Sequence, residues 1–133
     1  MSRVLVDTSA YSAFMRGNPA IKAALQQAEQ IHLNAIVLGE LLAGFAGGTR
    51  PDSNRKELEA FLASPRVKVL ELGGETAERY AAIFAFLRRQ GHPLPTNDIW
   101  IAASAMEHGL CVLTRDPHFK KAPQVIVKCF EMP

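Results

Sequence analysis

The sequence has little cysteine, no long apolar run and no strong net charge. Its two cysteines, Cys111 and Cys129, are too few for a disulfide framework and match no zinc-binding spacing. No apolar stretch reaches the roughly 20 residues of a membrane-spanning helix, and Asp7 interrupts the apolar start too early for a signal sequence. The net charge of +2 indicates little about partners. We therefore expect a cytoplasmic protein that does not associate with membranes.

The composition predicts a single globular domain. Hydrophobic residues make up 48% of the 133 residues and charged residues 21%, which is typical of proteins with one apolar core. A chain of this length can bury one continuous core, so we expect one domain over residues 1–133. No internal repeat or low-complexity tract divides it.

Short apolar strands alternate with helical segments along the chain. Strands are predicted at 4–6, 31–33, 67–70, 111–113 and 125–127, and the clearest helices at 35–46 and 76–90. The predicted helix caps are Asn18 (followed by Pro19 at the first helical position), Asp52 or Ser53, and Thr96. This alternation predicts an α/β fold in which helices flank a central, mostly parallel sheet of four to five strands.

Two aspartates stand at the ends of predicted strands. Asp7 directly follows the apolar run 4–6, and Asp116 comes just after the strand that leads into Thr114. Side chains at such turns project from the carboxyl edge of a parallel sheet, where open α/β folds bind ligands. Both aspartates also stand near helix starts, so helix capping is an alternative role for each.

Glu40 and Asp98 are isolated acids on apolar helices. Glu40 is the sole Asp, Glu, Lys or Arg in 31–49, and its helix has no polar face, which predicts burial in the interior or against a partner. Asp98 is equally alone in 90–106, in a first helical turn where capping is again an alternative. Capping cannot explain Glu40 in mid-helix, for which the alternative is a buried ion pair with a distant arginine.

The four acids would need protons or a cation if they face one cleft. Two carboxylates about 4 Å apart repel by about 4 kcal/mol at an effective dielectric constant near 20. Oxygen ligands without cysteine or a histidine pair favour Mg²⁺ or Mn²⁺ over zinc, and such an ion activates water for attack on a phosphodiester. The polar neighbours that can orient the carboxylates are Thr8, Ser9, Asn97 and Thr114. For Ser9 and Asn97, a cap or turn role is an equally good alternative.

Basic residues lie outside the apolar elements. They are Arg50, Arg55, Lys56, Arg88, Arg89, Arg115, Lys120 and Lys121. An acidic centre with basic surroundings suits a nucleic acid, whose scissile phosphate meets the metal while neighbouring phosphates meet Lys and Arg. For any single one of these residues, a solvated helix end is the alternative.

Taken in order, these segments resemble the PIN-domain ribonucleases. The resemblance rests on 4–9 (VLVDTS), the lone Glu40 in an apolar helix, 96–99 (TNDI) and 113–116 (LTRD). It covers essentially the whole chain, and the length and single-domain build are similar to those of VapC-type toxins of bacterial toxin–antitoxin pairs. The resemblance implies a PIN-like three-layer fold.

The resemblance also implies an Mg²⁺- or Mn²⁺-dependent endoribonuclease that hydrolyses RNA. It implies homodimers or a larger toxin–antitoxin assembly, and a cognate antitoxin that occupies the cleft. The implied metal-binding and catalytic acids are Asp7, Glu40, Asp98 and Asp116, supported by Thr8 and Thr114. As a working hypothesis, the three aspartates hold the ion or ions, and Glu40 either binds metal or positions the attacking water.

One position departs from the family pattern. Many relatives have a further acid two positions after the one that matches Asp116, whereas this chain has His118. The number of metal ions is therefore open, and His118 is either a contact to substrate phosphate or a surface turn residue. The alternative function is a non-catalytic metal- or protein-binding α/β domain with an acidic pocket, whose interface would be the apolar helix around Glu40.

Overall fold

The computed structural model describes residues 2–130, in which five strands alternate with six α-helices. The strands are β1 (Arg3–Val6), β2 (Gln30–Asn34), β3 (Val67–Leu70), β4 (Cys111–Thr114) and β5 (Ile126–Cys129). The helices are α1 (Thr8–Met15), α2 (Pro19–Gln27), α3 (Ala35–Ala46), α4 (Pro51–Leu62), α5 (Gly74–Gln90) and α6 (Thr96–His108). A 3-10 helix at Pro117–Lys121 precedes β5. The predicted α/β fold is confirmed.

The sheet is parallel throughout and has the strand order β3-β2-β1-β4-β5. Consecutive side chains of a strand point to opposite faces, and Val4, Leu5 and Val6 of the central strand β1 are all buried. Both faces of the sheet are therefore covered, as a three-layer PIN-like fold requires. No helix within residues 2–130 combines the length and the apolar content needed to cross a membrane.

The apolar core has two parts. The larger part surrounds the sheet and the first four helices, and in it the ring of Tyr11 meets Phe61 edge-on at 5.2 Å. The smaller part lies mainly between α5 and α6 and is centred on Ile83, Leu87 and Ile99. Each part anchors one or more of the helices that hold the predicted site residues.

Helix α3 is not an interior helix. Val37 and Leu41 are buried, but Ala35, Gly39 and Ala43 are exposed. The expectation that α3 lies in the interior is therefore wrong. The alternative, in which a partner covers its apolar surface, stays a prediction.

The predicted cap of α2 is confirmed, but those of α4 and α6 are wrong. Asn18 accepts a hydrogen bond from the backbone of α2, as expected. Helix α4 is capped by Arg50 rather than Asp52 or Ser53, because Pro51 with its fixed φ already occupies the first turn. Helix α6 is capped by Pro95, whose carbonyl accepts the first helical hydrogen bond and so places Thr96 inside the helix.

Candidate active site

Asp7 and Asp116 follow two adjacent strands at the carboxyl edge of the sheet. Strands β1 and β4 pair in parallel with Val6 opposite Leu113, and Asp7 N donates to Leu113 O at 3.1 Å. The chain builds one half of the sheet outward from β1 and the other half outward from β4. Sheets of this kind open a ligand crevice at such a switch point. The structure therefore places both aspartates at the crevice.

Asp7 is buried and has three hydrogen-bond donors. Its Oδ1 accepts from Ala10 N at 2.8 Å and from Ser9 Oγ at 2.9 Å, and its Oδ2 accepts from Thr114 Oγ1 at 2.5 Å. The bond from Ala10 N caps α1, so the capping alternative holds for Asp7 together with its place at the crevice. Burial raises the pKa of Asp7, while the three hydrogen bonds act in the opposite direction.

Asp116, like Asp7, both caps a helix and lies at the crevice. Its Oδ1 accepts from the backbone N of His118 at 2.9 Å, which caps the 3-10 helix, and lies 2.8 Å from His118 Nδ1. Asp116 N in turn donates to Thr114 Oγ1 at 2.9 Å. His118 is largely exposed, with 62% of its side chain accessible, yet it is paired with a site acid. It is therefore more than an isolated turn residue.

Glu40 is held between two other helices. Thr8 Oγ1 of α1 donates to its Oε1 at 2.5 Å, and Asn97 Nδ2 of α6 donates to its Oε2 at 3.1 Å. No lysine or arginine of residues 2–130 forms an ion pair with this carboxylate. The ion-pair alternative is therefore wrong. Glu40 is only partly buried, and two neutral donors bind its carboxylate.

The pKa of Asp98 shows that the four acids lie close together. Burial, followed by the charges of Asp116, Glu40 and Asp7, raises its pKa to about 6, while His118 acts in the opposite direction. Across residues 2–130 its carboxylate accepts no hydrogen bond, and Pro95 holds the N-cap position of α6, so Asp98 is not the cap. It does lie in the first turn of α6, where an acid interacts favourably with the helix dipole. Asp98 is thus a half-buried carboxyl group that lies beside three other acids and accepts no hydrogen bond from residues 2–130.

The donor set suits a hard divalent cation. Four carboxyl groups converge with the hydroxyls of Thr8, Ser9 and Thr114 near them, and oxygen donors of this kind are those that Mg²⁺ and Mn²⁺ prefer. As the side chains stand, no group of three or more His, Cys, Asp or Glu within residues 2–130 is arranged to hold an ion. Protein donors reach three of the acids, but each carboxylate keeps further lone pairs, so these hydrogen bonds are compatible with a bound ion. Metal binding stays a prediction.

Sequence reasoning missed one residue that organises the site. Asn34 is fully buried at the end of β2, and its Oδ1 caps α3 through Val37 N at 3.0 Å. Its Nδ2 donates to Ser104 Oγ at 2.9 Å and to Trp100 O at 3.3 Å, both on α6. Asn34 thus joins the helix of Glu40 to the helix of Asp98. An Asn directly before an apolar helix is a cap signal that could have identified the first of these contacts.

Comparison with known proteins shows the family. The PIN domain family matches residues 4–125. Ribonuclease VapC4 of Mycobacterium tuberculosis is 30% identical over 95 residues, which cover 71% of this chain and 73% of that protein. Ribonuclease VapC of Rickettsia bellii is 31% identical over 127 residues, 93% of each chain.

A solved structure is similar over almost the whole length. The crystal structure of DNA-bound VapBC from Salmonella typhimurium contains a chain with a TM-score of 0.85 and 25% sequence identity. The match covers 96% of this chain and 98% of that one. The family match, the sequence identities and the fold agree: this chain belongs to the PIN-domain family and, within it, to the VapC-type proteins.

Proposed function

We propose that this protein is an endoribonuclease that hydrolyses RNA phosphodiester bonds as the toxin of a toxin–antitoxin pair. The observation that carries the proposal is Asp98, a carboxyl group with a pKa of about 6 beside three further acids and without a hydrogen-bond donor in residues 2–130. Perturbed carboxyl groups in a crevice are typical of active sites. The ribonuclease relatives support the same activity.

We assign binding of Mg²⁺ or Mn²⁺ to Asp7, Asp98 and Asp116, with Glu40 as a further ligand or as the residue that positions water. When bound, the ion would neutralise the clustered charge, polarise a phosphodiester and make water more acidic. The chain itself orients the ligands. Thr114 holds Asp7, and the donors on α1 and α6 hold Glu40.

Protonation limits the proposed site at low pH. With a pKa of about 6, Asp98 is largely neutral below pH 6 and largely ionised above pH 7. Only the ionised form offers full charge to a cation, so activity should increase with pH through this range. Because a bound cation favours the ionised form, high metal concentration should move the rise to lower pH.

We further propose an antitoxin as protein partner and a homodimer as the state of the toxin. The similar structure is that of a VapBC complex, which supports the antitoxin. The exposed apolar residues of α3, among them Gly39 and Ala43, also favour a protein partner. Light scattering on the purified chain, alone and co-expressed with the product of the neighbouring reading frame, tests both. A monomer that forms no complex would contradict them.

The test of the activity is cleavage of a structured RNA with Mg²⁺, with Mn²⁺ and with EDTA. We expect cleavage only with metal, and loss of cleavage in Asp7→Asn. The matched control is Asp52→Asn, which removes an exposed carboxylate from α4 and should leave the rate unchanged. Cleavage that survives chelation or Asp7→Asn would contradict the proposal, and absence of cleavage in the wild type would favour the non-catalytic alternative.

A further inference from the structure

A basic pocket lies beside the acidic crevice, and of its residues only Arg115 belongs to the basic set for which phosphate contacts are predicted. Its volume is 290 Å³, and its lining consists of Ala13, Arg16, Gly17, Asn18, Pro19 and Arg115. Two guanidinium groups thus line one pocket with no carboxylate among them. Two arginines without an acid give the lining a net positive charge, which suits an anion.

Both arginines are free of acidic partners. No ion pair of Arg16 or Arg115 occurs within 4.0 Å in the part of the chain that the structure describes. The Nε of Arg115 is buried and donates to no acceptor there. A buried donor without an acceptor loses its bond to water and gains nothing in return. Within residues 2–130 the Arg115 side chain thus has neither an acidic partner nor an acceptor for Nε.

Two hydrogen bonds and helix α1 connect the residues of the pocket to those of the crevice. Ser9 Oγ donates to Asp7 Oδ1 at 2.9 Å and accepts from Arg115 N at 3.0 Å. Helix α1 runs from its cap Asp7 to its C-cap Arg16, and its eight residues span about 12 Å. Helix α1 and Ser9 therefore fix the separation between the acids and the pocket: α1 joins Asp7 to Arg16, and Ser9 hydrogen-bonds to Asp7 and to Arg115.

We propose that Arg16 and Arg115 bind a backbone phosphate of the RNA substrate outside the position that is cut. The inference rests on the proposed function and adds where the substrate lies. Every nucleotide brings a phosphate, so an RNA that enters the crevice along α1 presents one to this pocket. Guanidinium groups match phosphate oxygens through paired N–H donors, and their charge offsets the repulsion between RNA and the four acids.

A larger cavity nearby suits a phosphate less well. Its volume is 340 Å³ and two arginines, Arg16 and Arg50, also line it, but so do the acid Glu57 and the apolar residues Met15 and Phe45. An anion would meet a like charge there. The pocket with Arg115 is therefore the one that we assign to phosphate.

The experiment is the salt dependence of RNA binding. An end-labelled, unstructured RNA oligonucleotide is titrated with protein carrying Asp98→Asn, which prevents cleavage, and fluorescence anisotropy gives the affinity at several salt concentrations. Each phosphate contact to a single strand contributes about 0.7 to the slope of log K against log salt. Because both arginines bind the same phosphate, we expect Arg16→Gln with Arg115→Gln to reduce the slope by about 0.7, and Arg16→Gln alone to reduce it by part of that amount.

The matched control is Lys68→Gln, which removes the same charge from an exposed position of the edge strand β3 outside the pocket. It should leave the slope unchanged, and Arg16→Lys should largely retain it. Arg16 is exposed and makes no side-chain hydrogen bond within residues 2–130, so Arg16→Gln should fold. Arg16 also lines the 340 Å³ cavity, so the further reduction on changing Arg115 is what assigns the phosphate to this pocket. Where Arg115→Gln impairs folding, Arg115→Lys keeps the charge without the paired N–H donors and should weaken RNA binding.

Two results would overturn the inference in different ways. If Arg16→Gln and the double variant keep the wild-type slope while the wild type still cleaves RNA, the pocket is not a phosphate site but the proposed function stands; the pocket would then be open to an acidic protein segment. If the wild type neither binds nor cleaves RNA, the proposed function fails together with the inference.

Discussion

Thr114 Oγ1 lies 2.5 Å from Asp7 Oδ2 and ties the end of β4 to the end of β1. The same hydroxyl accepts a hydrogen bond from Asp116 N at 2.9 Å. One fully buried side chain therefore positions two of the four acids. The three residues form a unit that should respond together to a change at Thr114.

Thr114→Val should lower both stability and RNA cleavage. The substitution keeps the shape but leaves the buried Asp7 one donor short and Asp116 N without its acceptor, which costs about 1–3 kcal/mol for such groups. Urea unfolding measures the loss of stability, and the initial cleavage rate should decrease at least tenfold. Thr114→Ser retains the hydroxyl, so its stability and cleavage rate should be near those of the wild type. If the valine variant unfolds and cleaves as the wild type does, the hydroxyl does not position the acids.

Asp98 should make the metal-free protein less stable as pH increases from about 4 to above 6. Its ordinary pKa is 3.8 and its folded-state pKa is about 6, so the folded protein binds more protons in this interval than the unfolded chain. Stability then decreases with rising pH, and the full cost is present above pH 6. Asp98→Asn removes the titrating group and should flatten the curve of melting temperature against pH in EDTA. The raised pKa of Asp7 acts in the same direction, so part of the slope should remain. A variant curve parallel to that of the wild type would contradict the assignment.

Mg²⁺ or Mn²⁺ should raise the melting temperature of the wild type by binding the folded state alone. An ion at 100 times its dissociation constant stabilises by about 2.7 kcal/mol. Asp98→Asn should reduce this gain, whereas the exposed Asp52→Asn on α4 should not. Differential scanning fluorimetry across millimolar metal concentrations measures both. If the melting temperature of the wild type does not change with metal concentration, the acids bind no metal and are stabilised by contacts within the protein.

Asn34→Ala should reduce cleavage through its effect on two helices. It removes the cap of α3 and the bonds from Asn34 to Ser104 and Trp100 on α6, so Glu40 and Asp98 lose a common support. The expected destabilisation is about 1–3 kcal/mol. Ile21→Val removes a buried methyl group from α2, which holds none of the four acids, and should lower stability by about 0.5–1.5 kcal/mol without lowering the rate of the folded enzyme. Equal rates in the two variants, at temperatures where both are folded, would exclude this role for Asn34.

Local signals were enough to predict the elements and the fold class. Apolar runs of three residues defined the central strands β1 and β4, since a strand buried on both faces leaves no room for polar side chains. Asn18 with Pro19 predicted a helix start because capping acts within three residues. The position of Asp7 after β1 also followed from the chain alone, and so did the isolation of Glu40.

Contacts between distant residues were decided by the tertiary structure. Thr114 and Asp7 are 107 residues apart, and Asn34 and Ser104 are 70 apart, so their hydrogen bonds depend on the strand order and on how α3 meets α6. The pKa of Asp98 depends on the acids that three other segments bring near it. The sequence by itself therefore determined which residues are unusual and where each lies on its element. Only the packing of the helices around the sheet decided which neighbours they meet, because hydrogen bonds and charges act over a few ångströms in space rather than along the chain.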